Sequence, residues 1–180
     1  MPGIDHLDIV VSSVDRSLGF YGELLAPMGW RYARRVVGER GETIHYLWGL
    51  DGRGSIGLRE WPSGSGETAY DRYAVGMHHI AFPARSRRRV DERAAWLDRV
   101  GAEIESGPAE HGYTPGYYAV FFYDPDGMKL EIVHRPWLRT VLWAVDPRTS
   151  PLRAANRRPD PRTPDSAARH PGRNATWGLK

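Results

Sequence analysis

The chain has 180 residues, of which 41% are hydrophobic and 11% aromatic, enough to bury one core, and its formal net charge of +3 is neither strongly basic nor strongly acidic. Because cysteine is absent, disulfides, thiolate metal sites and cysteine nucleophiles are excluded, and any metal is left to His, Asp and Glu. There is no run of about 18 apolar residues, and the N-terminal stretch carries Asp5 and no apolar segment, so the expectation is a cytoplasmic protein with no membrane partner.

Residues 4–11 alternate apolar and polar as a strand and end at Ser12 and Ser13, a plausible helix cap. From Asp15 to Leu25, Val14, Leu18, Tyr21, Leu24 and Leu25 recur at three- and four-residue spacing, which predicts an amphipathic helix that Pro27 and Gly29 stop. Strands are expected at about 30–37, 43–50 and 55–61, the last two joined by a turn at Asp51-Gly52-Arg53-Gly54. Residues 62–73 read as a polar loop. The same order then returns, with a strand at 77–83, a helix near 88–100 closed by Gly101, and strands near 102–106, 117–124 and 128–134. Two β-α-β-β-β units of similar length are an internal repeat, which outranks local propensity in deciding the fold. The expected class is α+β, with module one at about 3–61 and module two at about 76–135 of a single domain spanning 1–135. Their sheets pair about a pseudo-twofold axis and leave a concave face.

The remaining residues, 136–180, read as a basic Pro/Arg-rich tail, poorly ordered or loosely docked. Residues 135–180 hold ten Lys or Arg against three Asp, and half of the 14 prolines, without hydrophobic periodicity. The body before them is mildly acidic. The basic run at 85–89 invites a nucleic-acid reading, as does the tail, but a short charge run at a helix start is a solvated face and neither interleaved aromatics nor a nucleic-acid motif accompany it, so no nucleic-acid partner is expected.

Three strands each place one imidazole or carboxylate opposite their apolar neighbours. His6 is flanked by Leu7, His79 by Ile80, and Glu131 by Leu130 and Ile132, and strand side chains alternate between faces. Two neutral imidazoles and one carboxylate suit a divalent metal with open positions, so His6, His79 and Glu131 are the expected ligands. His78 lies on the other face and reads as a packing or supporting group. His45, Tyr46, Trp48, Tyr113, Tyr117 and Tyr118 are candidate lining residues, with His45 or a tyrosine such as Tyr118 as a proton-transfer group. Glu60 stands near the repeat position of Glu131. Counting from the Asp51-Gly52 turn, however, puts Leu58 or Ile56 there and Glu60 one step further along the same face.

His6 in His-Leu-Asp-Ile-Val-Val, the segment Arg16-Ser17-Leu18-Gly19-Phe20-Tyr21, His79 in His-His-Ile-Ala-Phe and the run from Asp124 to Glu131 together resemble the vicinal oxygen chelate superfamily. That superfamily includes glyoxalase I, fosfomycin-resistance transferases, bleomycin-resistance proteins and extradiol dioxygenases. The resemblance covers residues 3–135 and implies paired modules, a small-molecule substrate, a homodimer and a divalent ion that is Fe, Zn, Ni, Mn or Co. For glyoxalase I-like members it also implies a fourth ligand, for which Glu60 is the candidate. The reaction expected on it is a glyoxalase-like isomerisation or lyase step, or ring-cleaving dioxygenation, on adjacent oxygens of the substrate. The alternative is a non-catalytic antibiotic binder of the bleomycin-resistance type.

Overall fold

The computed structural model describes residues 4–50, 54–62, 70–136 and 141–142. Module one runs β1 (His6–Val11), α1 (Val14–Leu25), a 3-10 turn (Ala26–Met28), β2 (Trp30–Val37), β3 (Thr43–Gly49) and β4 (Ser55–Glu60). Module two repeats it as β5 (Ile80–Pro83), α2 (Arg87–Arg99), β6 (Ile104–Glu110), β7 (Tyr118–Tyr123) and β8 (Lys129–His134). Each module forms a mixed four-stranded sheet, ordered β1-β4-β3-β2 in the first and β5-β8-β7-β6 in the second. The pairs β1/β4 and β5/β8 are parallel, because the helix after the first strand carries the chain back to start a three-stranded antiparallel meander whose last strand runs beside the first, and the other pairs are antiparallel hairpins.

Both helices start on a serine cap. Ser13 Oγ accepts from the Arg16 amide at 3.4 Å, and Ser86 Oγ accepts from the Arg89 amide at 3.3 Å. The first helix ends through the 3-10 turn at Gly29, whose φ of +91° is open to glycine. Two strands differ from the sequence expectation. β5 begins at Ile80 rather than Met77, leaving His79 in the extended lead-in, and β6 continues to Glu110 with irregular pairing to β7. Of the expected turn at 51–54, residues 51–53 lie outside the described residues. So does the tail, apart from Pro136, Val141 and Leu142.

The core lies on one face of each sheet. Ile9, Val11, Ile56 and Leu58 of module one and Phe82, Val120, Phe122, Leu130 and Ile132 of module two pack with Tyr21, Leu24 and Leu25 of α1 and Val90, Ala94 and Leu97 of α2. Each such Leu or Ile, fully buried, contributes about 1.5–3 kcal/mol.

Module one is also tied to the β7–β8 turn by polar contacts. The buried Tyr21 hydroxyl donates to Asp124 Oδ2 at 2.8 Å, and the Arg16 guanidinium holds Asp126 at 2.7 Å. Burial pushes the Asp124 carboxyl up from its ordinary range, even though Tyr21 and the amides of Met128 and Asp126 donate to it. The sheet faces turned away from the helices remain for chemistry.

Candidate functional site

The register of β8 decides what stands on the open face of module two. Leu130 and Ile132 join the core, so Lys129, Glu131 and Val133 point the other way, beside Ala119 and Phe121 of β7. Glu131 is therefore a carboxylate in the middle of a sheet, and it is 1% exposed. Burying a carboxylate without partners is costly, and here both oxygens are met. His79 Nε2 lies 3.2 Å from Oε2, and the Tyr117 hydroxyl donates to Oε1. Burial, and then the Glu131 carboxylate, push the Tyr117 hydroxyl above its ordinary range, so it stays protonated and donates.

His79 is in turn held by His78, with the two Nδ1 atoms 2.8 Å apart. A neutral His79 that donates through Nε2 to Glu131 must accept at Nδ1, so His78 donates to it there. Burial, with His79, Lys129 and Arg72 nearby, keeps the His78 imidazole below its ordinary pKa and favours this neutral form. Tyr117–Glu131–His79–His78 is thus a continuous hydrogen-bonded chain.

An ion network adjoins it. Glu105 accepts from Lys129 at 2.7 Å, from Arg72 at 2.9 Å and from the Tyr123 hydroxyl at 3.1 Å. Burial alone would raise the Glu105 carboxyl, but these three donors outweigh it and hold it at about 2. Lys129 Nζ sits 4.7 Å over the Phe121 ring, whose edge faces the ring of His79.

Module one carries a different arrangement at the matching place. His6, Asp8 and Val10 point away from the core on β1, as do Ser55, Gly57 and Arg59 on β4. Leu7 pairs with Ile56 where Ile80 pairs with Leu130, which makes Gly57 the counterpart of Glu131. The Asp8 side chain fills the space that Gly57 leaves. A Cβ on Gly57 would lie 2.3 Å from Asp8 Oδ1 and 2.9 Å from Tyr46 Cε1. Asp8 is held by Arg59 at 2.7 Å and by the Tyr46 hydroxyl at 3.1 Å, and Arg59 also grips Glu39 and Glu42, each at 2.9 Å.

A family model described as the glyoxalase/bleomycin resistance protein/dioxygenase superfamily matches residues 3–132. The chain belongs to that superfamily. It is 30% identical over 131 residues to the uncharacterized protein YqjT of Bacillus subtilis, covering 71% of this chain and 95% of that one. It also resembles a solved glyoxylase/bleomycin resistance protein/dioxygenase domain from Frankia sp. EAN1pec, with a TM-score of 0.62 and 25% identity, covering 74% of this chain and 98% of that one. The trypanothione-dependent glyoxalase I of Leishmania major shares the fold, with a TM-score of 0.58 at 22% identity, covering 80% of this chain and 94% of that one.

Within this superfamily fold, His79 and Glu131 are brought together, whereas His6 is not joined to them. Its Nδ1 lies 2.9 Å from Asp5 Oδ1, its ring meets the edge of Tyr46, and the Asp5 hydrogen bond raises its pKa. Among the described residues no three or more His, Asp or Glu converge as a metal requires. The donor pair His79 and Glu131 fits two positions of a divalent ion, and the three-donor set expected from the sequence is not gathered in this arrangement.

The expected proton-transfer groups also sit elsewhere. His45 shares the core-side parity of Leu47 and Leu58 and neighbours Tyr32, and the Tyr118 hydroxyl donates to Asp91 of α2 at 2.8 Å. Glu60 is exposed at the end of β4, again with the parity of Leu58. The group that the sequence reading left unselected is Tyr117. Strand alternation carries its signal, because Tyr117 shares the parity of Phe121 and Tyr118 that of the core residues Val120 and Phe122.

Proposed function

We propose that this chain is an enzyme acting on a small, oxygen-bearing substrate, with Glu131 as its proton-handling carboxylate and Tyr117, His79 and His78 as the groups that orient it. The observation that carries this reading is the 1% exposure of a carboxylate whose partners are a tyrosine and a histidine rather than a lysine or arginine. A structural ion pair would be satisfied by a cation. A Tyr-Glu-His-His chain fixes the carboxylate in place without neutralising it with a cation, which leaves it able to take up a proton.

In this reading Tyr117 and His79 hold both Glu131 oxygens in one geometry. A proton taken from the substrate rests on Glu131, while His79, donating through Nε2 and accepting at Nδ1 from His78, keeps the carboxylate in place. The apolar neighbours Phe121, Val133 and Ala119 exclude water from the carboxylate's inner side. Superfamily members commonly use divalent metals, and an ion bound here would take His79 Nε2 and Glu131 and supply Lewis-acid polarisation of substrate oxygens.

The test is turnover by the protein, loaded in turn with Fe, Zn, Ni, Mn or Co. It is offered hemithioacetals, followed by the rise in ultraviolet absorbance of the thioester product, and catechols, followed by the ring-cleavage chromophore. Glu131→Gln keeps the shape and is expected to lower kcat/KM by about 10²- to 10⁴-fold, the worth of a general base. Full turnover by that variant would refute the assignment. Saturable binding of an aromatic cation that Glu131→Gln does not affect, with no turnover, would instead make the chain a binder.

A further inference from the structure

Two cavities lie where the helices of the modules meet, and the repeat makes them counterparts. One is bounded by the start of α1 and the end of α2, the other by the 3-10 turn that ends α1 and by the start of α2. The second is small, about 160 Å³, with Arg85 and Arg89 beside Pro27 and Met28. The first opens to about 400 Å³, inside the range of roughly 300–1,000 Å³ usual for small-molecule sites. The fold therefore does not require the larger volume, and the side chains that differ between the two repeats make it.

Setting the serine cap Ser13 on Ser86 places Gly19, Phe20 and Glu23 of α1 against Glu92, Arg93 and Trp96 of α2. Gly19 borders the cavity, and a Cβ on it would meet nothing within 4 Å. Neither a positive φ nor a close neighbour calls for glycine there. A glycine inside a helix loses more backbone freedom on folding than alanine would, so the opening is kept at a cost to α1.

The walls select a charge. Phe20 and Trp96, with ring centroids 5.5 Å apart, supply aromatic surface, and Val100, 49% exposed, adds hydrocarbon. Two exposed carboxylates stand beside them, Glu103 and Glu23, the second accepting from the Trp96 indole N–H at 3.3 Å. Arg16, which also lines the cavity, is taken up by Asp126 at 2.7 Å and Ser12 at 2.8 Å. Asp124 is taken up by the Tyr21 hydroxyl and by the amides of Asp126 and Met128. What remains for a ligand is aromatic surface and negative charge, the combination that attracts an organic cation.

This cavity is separate from the Glu131 site. Phe20 lies 6.4 Å from Phe122, on the core side of β7, whereas Phe121 and Glu131 face the other way.

We propose that the cavity is a second ligand site, which takes the ammonium or guanidinium group of a small organic cation at Glu23 and Glu103 and its hydrocarbon against Phe20 and Trp96. It stands apart from the chemistry assigned to Glu131.

The experiment uses the full chain and three probes that share one ring: cyclohexylammonium, cyclohexanol and cyclohexanecarboxylate. Binding is followed by the Trp96 indole N–H resonance and by calorimetry. The ammonium should bind about tenfold more tightly than the alcohol, and the carboxylate more weakly than either. Gly19→Leu should fill the cavity and abolish binding of the ammonium and the alcohol, with a Tm no lower than that of the wild type. Glu23→Gln combined with Glu103→Gln, both at exposed positions, should keep alcohol binding and erase the preference for the ammonium. The site is refuted if no probe moves the Trp96 resonance, or if binding survives in folded Gly19→Leu. Equal affinity for ammonium and alcohol in the wild type, or a preference that persists in the double variant, would overturn the cation assignment.

Discussion

Adding a single methyl group at Gly57 should displace Asp8 from its place on module one. The Cβ of Gly57→Ala would lie 2.3 Å from Asp8 Oδ1 and 2.9 Å from Tyr46 Cε1, distances that real contacts do not hold. The carboxylate must swing away. Tyr46 need move only a few tenths of an ångström. Asp8 then loses the Arg59 guanidinium at 2.7 Å and the Tyr46 hydroxyl at 3.1 Å. Both partners of the ion pair are about four-fifths buried, with side-chain exposures of 18% for Arg59 and 24% for Asp8. A charge-assisted contact of this kind is worth about 1.5–3 kcal/mol when fully desolvated.

Arg59 keeps Glu39 and Glu42, so the net cost is about 1–2 kcal/mol. In a domain of this size that lowers Tm by about 2–8 °C. The assay is thermal and urea unfolding of the wild type, Gly57→Ala, Asp8→Ala and the double variant. With Asp8 already truncated, Gly57→Ala should be neutral or stabilising by up to about 1 kcal/mol, because alanine costs less order in a strand than glycine. The cycle should show a coupling of about 1–2 kcal/mol. If Gly57→Ala costs the same with and without Asp8, the clash lies elsewhere and the reasoning fails.

Tyr21→Phe removes the buried hydroxyl that joins α1 to Asp124 and should cost about 1–3 kcal/mol at neutral pH. Asp124 titrates above its ordinary value in the folded state, so its favourable contribution is fully present below the unfolded pKa and is lost as pH rises through the folded one. Tyr21 offsets part of that loss by donating to the carboxylate, so the Tyr21→Phe penalty should shrink as pH falls through the raised pKa, and a penalty independent of pH in urea melts would contradict this. Glu105 behaves in the opposite sense: held at about 2, below its ordinary 4.5, it stabilises the fold above that ordinary value and loses the contribution as pH falls from about 4.5 toward 2. Allowing for solvent screening, that contribution is about 1–2 kcal/mol, and Glu105→Gln should flatten the acid side of the stability curve by this amount, visible as parallel acid melts of the two proteins.

Sequence alone determined the repeat, the parity and the family. Alternation in residues 6–11, 55–60 and 129–134 gave each strand one apolar face, so His6 and Glu131 could be set opposite the core without coordinates. The spacing of Val14, Tyr21, Leu24 and Leu25 placed the helix that covers that face. These are local periodicities, and each is written within about ten residues of chain. Tertiary structure alone decided which residues stand beside one another across strands that are distant in sequence. The β1/β4 register is set by how the intervening helix and strands pack, and it makes Gly57, not Leu58 or Ile56, the counterpart of Glu131. A shift of one residue exchanges the faces, so no count from a turn could settle that position. Packing likewise brings Tyr117 to Glu131, ties His78 to His79 and leaves His6 beside Asp5 and Tyr46: strand parity separates Tyr117 from Tyr118 by face, and packing sets the neighbours.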